Sequence, residues 1–174
     1  MAKLHQLNVR FDAFEDRLVL SISTDDGNEV RIFLTRRYTK LLLAVLEKLS
    51  DQGNCSPTQS NAAKGAIKAF KRDEALSKAD FATNYQQAGK QQPLGETPLL
   101  VSKIKYTIHQ SGGSVISMST PEGSNINLNL TQELAFSLIK LINTGVTNAE
   151  WMLGKTSIEE IQAKQSASSA TAVH

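Results

Sequence analysis

Residues 19–35, VLSISTDDGNEVRIFLT, align without a gap on residues 115–131, VISMSTPEGSNINLNLT, at an offset of 96. Seven of the 17 pairs are identical, among them Gly27/Gly123 and the closing Leu34-Thr35/Leu130-Thr131, and most others keep their apolar or polar class. The same register continues through Leu42/Leu138, Leu43/Ile139 and Leu46/Ile142. A segment written twice restricts the chain to folds that can be built from two similar units.

Each unit reads as three strands and a helix. Leu7, Val9 and Phe11 alternate with polar neighbours, as do Ile104, Tyr106 and Ile108, the period of a half-buried strand. The two first turns differ in length by one residue. Strand two carries Leu18, Leu20 and Ile22, matched by Ile116 and Met118. Hairpin turns follow at Asp25-Asp26-Gly27-Asn28 and Pro121-Glu122-Gly123-Ser124, where glycine accepts the positive φ of a tight reversal. Strand three then presents Val30, Ile32 and Leu34, or Ile126, Leu128 and Leu130. Thr35 and Thr131 stand where a helix N-cap belongs, and the stripes Tyr38-Leu41-Leu42-Val45-Leu46-Leu49 and Leu134-Leu138-Leu141-Ile142 follow.

A three-stranded sheet bearing one helix has an unfinished core and open edges. Two such units repair both by packing together, so the expected fold is α+β, with tandem β-β-β-α units forming a pseudo-twofold domain. The expected layout is a first unit at 1–50, a polar linker at 51–98 with a helix near 62–85, a second unit at 99–154, and a flexible tail at 155–174. A short helix over Thr147–Leu153 would set Trp151 as a plug over the second unit's core.

With 174 residues, 40% apolar and 21% charged, the chain is large and apolar enough for a real core and is not an intrinsically disordered polymer. A lone Cys55 closes no internal disulfide and builds no metal cluster. No apolar run approaches the roughly 20 residues of a membrane helix, and the N-terminus has no signal-peptide core, so a cytoplasmic location without membrane contact is expected. The sequence contains no GxxxxGK[ST], GxGxxG, GxSxG or HExxH, and His5, His109 and His174 lie far apart. No enzyme activity, cofactor or metal is expected. Asp25, Asp26 and Glu29 do not match a calcium loop and read as a solvated turn. Lys64, Lys68, Lys71 and Arg72 read as a solvated helix face.

Two features point to binding. Arg36 and Arg37 occupy a first helical turn, where the helix dipole favours acids, while the second unit has Gln132-Glu133 there. Guanidinium groups beside free backbone N–H groups suit a phosphate or carboxylate. The strand alternation also turns Arg10, Arg31 and Phe33 outward in one unit, and Lys103, Lys105, Asn127 and Asn129 in the other. Such a face can meet phosphates and stack bases. The candidate binding residues are therefore Arg10, Arg31, Phe33, Arg36, Arg37, Lys103 and Lys105. The expected role is a non-enzymatic protein-interaction, accessory or scaffold module with a protein partner or self-association. The alternative is binding of single-stranded DNA or RNA, against which stands a net charge of only +2.

The stretch RLVLSISTDDGNEVRIFLTRRYTKLL resembles a segment of short proteobacterial proteins of uncharacterised function. The doubled sheet-then-helix plan is similar to the Pur and Whirly single-strand-binding folds, with three strands per unit where those have four. The pattern NINLNLTQELAFSLIKLI resembles the last strand and helix of transcriptional-coactivator single-strand-binding domains. These resemblances imply a sheet face that binds unpaired nucleic acid.

Overall fold

A computed structural model describes residues 3–51, 60–86, 91–109 and 113–154. The order is β1 (Leu4–Asp12), β2 (Arg17–Thr24), β3 (Glu29–Leu34), α1 (Arg36–Ser50), α2 (Asn61–Lys78), β4 (Leu99–Leu100), β5 (Lys103–Ile108), β6 (Ser114–Ser119), β7 (Asn125–Leu130) and α3 (Gln132–Asn148). The strands form two sheets, β1-β2-β3-β4 and β5-β6-β7. All pairs are antiparallel except β3 with β4. The fold is α+β, and its strand-strand-strand-helix unit occurs twice.

The duplication extends to individual hydrogen bonds. Thr24 and Thr120 each donate their N–H across the turn, to Asn28 and Ser124, and each accepts at its carbonyl from Gly27 or Gly123. Those glycines hold φ of 83° and 96°, a region that a β-carbon disfavours. Thr35 accepts from the Tyr38 amide and Thr131 from the Leu134 amide, both at 3.2 Å. The first turns differ as expected: Asp12 pairs with Arg17 across Ala13–Asp16, whereas Ile108 pairs with Ser114 across a connection one residue longer.

The inner faces of both sheets share one core. Leu18, Leu20, Ile32 and Leu34 lie in it with Ile116, Met118, Leu128 and Leu130, and the α1 and α3 stripes fill the space between. Neither unit completes its core alone. Helix α1 packs on α3, α3 also packs on β1 of the first unit, and α1 reaches β5 of the second. At Gly145 the approach is so close that a β-carbon would sit 2.9 Å from Val9 Cγ1 and 3.1 Å from Leu18 Cδ2. Polar contacts repeat the exchange. The Tyr38 hydroxyl donates to the Lys103 carbonyl at 3.2 Å, and Gln132 Nε2 donates to the Ser50 carbonyl at 2.7 Å.

Three expectations change. Trp151 does not extend a helix, because α3 ends at Asn148 and Glu150 turns the chain at φ 53°. It lies edge-on to Phe11 with ring centres 6.1 Å apart and donates its indole N–H to Asp16 at 2.9 Å, plugging the first unit rather than the second. The linker helix ends at Lys78, short of 85, because Asp80 captures the Ala82 and Thr83 amides in a turn. Its basic face is not wholly solvated: Lys68 bridges Glu47 at 2.7 Å and Asp51 at 2.6 Å, tying α2 to α1. Burial opposes the Lys68 charge, and the two carboxylates outweigh it and hold its pKa above the ordinary lysine value. Among the described residues no helix is long and apolar enough to cross a membrane. Cys55 and the expected tail at 155–174 lie outside the described residues.

Candidate binding surface

On the outer face of the first sheet, the pairing sets three rows: Gln6-Ser23-Glu29, Asn8-Ser21-Arg31 and Arg10-Val19-Phe33. Alternation alone would leave this face to solvent, yet Ser21 is 4% exposed, Ser23 0% and Glu29 1%. The linker covers them. Tyr85 donates its hydroxyl to Glu29 Oε1 at 2.5 Å, and Gln92 Nε2 donates to Glu29 Oε2 at 3.2 Å. Arg31 donates to Gln92 Oε1 at 2.9 Å and to the Glu96 carbonyl, and its Nε lies 3.8 Å from Glu29. Gln91 then docks by backbone against the hairpin, donating to Gly27 at 2.9 Å and accepting from Glu29 at 2.7 Å. Finally β4 adds beside β3, with Phe33 opposite Leu100.

The linker thus forms a belt around the first sheet. Its described residues meet the β1 edge, where Gln6 bonds the backbone of Asn84 and Gln86, the outer face, where Tyr85 and Gln92 bond Glu29, and the β3 edge. Glu29 is therefore no member of a solvated turn; Asp25 and Asp26 are. Its anchor is the feature that sequence reasoning missed. A tyrosine and two glutamines in an aperiodic segment give no signal of the carboxylate they will meet. Burial, and then the Glu29 carboxylate beside it, raise the Tyr85 pKa well above the ordinary tyrosine value.

The second sheet has no belt among the described residues. Its outer rows are Lys103-Ser119-Asn125, Lys105-Ser117-Asn127 and Thr107-Val115-Asn129. The lysines, Thr107 and all three asparagines are exposed. Ser117 donates to Asn127 at 2.7 Å and Ser119 to Asn125 at 2.5 Å, forming a ladder of hydroxyls and amides flanked by cations. None of these nine positions carries a carboxylate, and β5 and β7 are both edge strands.

Each unit also has a groove where the edge of its first strand meets the helix of the other unit. The groove at β5 is about 670 Å³ and is lined by Tyr38 and Leu41 of α1 and by Lys103, Ile104 and Lys105. The groove at β1 is about 630 Å³ and is lined by Leu134 and Ser137 of α3 and by Gln6, Leu7 and Asn8. These are equivalent places. Leu7 pairs with Ile22 as Ile104 pairs with Met118, and Tyr38 and Leu41 lie 96 positions before Leu134 and Ser137. The β1 groove is also walled by the belt, with residues from Ala79 to Gln86, whereas the β5 groove has no such wall among the described residues and is lined also by Arg37.

The seven candidate residues separate into three groups. Arg37, Lys103 and Lys105 line the β5 groove, and none of them pairs with a carboxylate among the described residues. Arg10, Arg31 and Phe33 lie on the outer face of the first sheet. Arg10 bonds Asp12 at 3.3 Å, Arg31 is held by Glu29 and the belt, and Arg17 stacks on the Phe33 ring at 5.4 Å. Arg36 turns away from Arg37 and stacks on Trp151 at 5.5 Å. The two helix N-termini differ in the same sense. The first turn of α1 has no acid, whereas Glu133 serves α3, its carboxylate held below the usual range by its own backbone N–H and the Thr131 hydroxyl. Among the described residues no group of three or more metal-ligating side chains comes together. No protein-family model, curated protein or solved structure matches the chain.

Proposed function

We propose that the protein is a non-enzymatic interaction module that holds a partner protein on the bare side of its second unit. One observation carries this reading. Two units with the same fold are treated differently: the linker covers part of the first unit's outer face and both of its edges, and among the described residues nothing covers the same face and edge of the second. Unpaired edge strands invite another strand, and natural proteins blunt or cover them unless they are used. The lysines of β5 fit both roles, since they discourage uncontrolled pairing and attract an acidic partner.

The test is a photo-crosslinking residue placed at Asn127, on the second sheet, or at Asn8, on the first, in cells that make the protein. Protease-sensitive adducts at Asn127 and none at Asn8 support the reading. Absence of adducts at both sites overturns it.

A second reading has its own support. Lys103 and Lys105 beside an amide ladder on an acid-free sheet face also suit the phosphates and base edges of a single strand. Nuclease-sensitive adducts at Asn127 would favour it, as would salt-dependent fluorescence anisotropy of a labelled single-stranded oligonucleotide.

A further inference from the structure

We infer that the groove between β5 and α1 takes an acidic, non-helical segment of a partner polypeptide. This inference rests on the interaction-module reading and names the chemistry of its ligand. The protein contains the precedent, because the equivalent groove between β1 and α3 is already walled by an irregular segment of its own chain. Residues 79–86 run there without helix or strand structure. Phe81 sits under Lys140 of α3 at 4.3 Å, and Gln6 of β1 holds the backbone at Asn84 and Gln86. The fold therefore accepts polypeptide without regular structure at this place, through strand-edge side chains on one wall and a helix on the other.

Charge distinguishes the two grooves. Where the β1 groove has Gln6 and Asn8, the β5 groove has Lys103 and Lys105, in the same pairing positions against Ser23/Ser119 and Ser21/Ser117. Where the first turn of α3 has Glu133, the first turn of α1 has Arg37, 96 positions earlier. Glu133 attracts Lys78 and Lys71, both on the helix that leads into the belt. Reversing the sign at that position, and adding two lysines, selects carboxylates in the occupant. A neutral or basic segment would leave three cations crowded without counter-charge.

The experiment is selection from a random-peptide display library against the full chain, followed by affinity and amide-exchange measurements on the selected peptides. The expected peptides are rich in Asp and Glu, protect β5 amides from exchange, and bind less tightly as salt rises. Their binding falls about tenfold or more in Lys103→Glu/Lys105→Glu, a difference of about 1.4 kcal/mol per decade, and is unchanged in Arg10→Glu on the other sheet. Both variants alter exposed side chains, and an unchanged circular dichroism spectrum confirms that they fold. Selected peptides that are neutral or basic, or that ignore the lysine reversal, overturn the groove assignment while leaving the interaction-module reading intact. Protection of β5 in the free chain also overturns it: a concentration-dependent dimer would make the occupant a second copy, and a protected monomer would make it the chain itself. If no peptide is selected and a labelled oligo(dT) binds through Lys103 and Lys105, both this inference and the protein-partner reading fall to the nucleic-acid alternative.

Discussion

The two sheets of this protein are built from one pattern and end in different circumstances. On the first, a carboxylate and two serines are buried, and an arginine partly so, beneath a belt whose Tyr85 stands 56 positions after the Glu29 it meets. On the second, the equivalent row members are Asn125, Asn127, Ser117 and Ser119, exposed or half-exposed, with side chains bonded to one another and, at Asn125, to the Gly123 carbonyl. The comparison shows that a sheet face is not made inert or adhesive by its strands alone. Glu29 would be a costly buried charge without Tyr85, Gln92 and Arg31. The asparagines that replace them need no such cover.

The largest test of that contrast is Glu29→Ala against Asn125→Ala. Removing Glu29 takes the fully buried carboxylate away from the half-buried Arg31 and Tyr85, so urea unfolding is expected to show a loss of about 3 kcal/mol. Asn125→Ala, at the same place in the other unit, is expected to change stability by less than about 0.5 kcal/mol. Equal effects would mean that the belt does not anchor on Glu29.

A smaller effect sharpens the same point. Tyr85→Phe removes one hydroxyl from a buried carboxylate and is expected to cost about 1–2 kcal/mol at neutral pH. Because the native environment raises the Tyr85 pKa above the unfolded value of about 10, its contribution is complete below that pH and is lost as pH rises through the native value. Thermal melts between neutral and strongly alkaline pH should therefore show a shallower alkaline decline in Tyr85→Phe than in the native chain. Tyr38, whose pKa burial also raises, contributes to the decline in both.

The smallest effect probes what the units have in common. Gly27→Ala and Gly123→Ala each place a β-carbon at φ of 83° or 96° with no neighbour within 4 Å. Backbone strain alone should then cost roughly 1 kcal/mol in each, equal within about 0.5 kcal/mol by denaturant titration. Unequal losses would show that the two hairpins are not held alike.

The legible parts of this protein are those whose cause lies within a few residues. Strand alternation, the glycine turns and the threonine caps are local, and each recurs at its expected position. The neighbouring arginines were legible as a pair but not as a site. About 100° of helix rotation separates consecutive residues, so Arg36 meets Trp151 while Arg37 lines a groove with lysines from another unit. Lys103 and Lys105 were readable as outward-facing cations; their meeting with Arg37 was not, because it depends on α1 reaching across to β5.

By itself the sequence determined that there are two like units, where each turns and caps, and which strand faces are apolar. Short-range sterics, backbone hydrogen bonds and hydrophobic period decide those things, and all are written in adjacent residues. Only the tertiary structure decided which face stays open. The belt has no period of its own, and its anchors join residues 56 to 80 positions apart, so the burial of Glu29 and the exposure of its counterpart follow from where the chain passes.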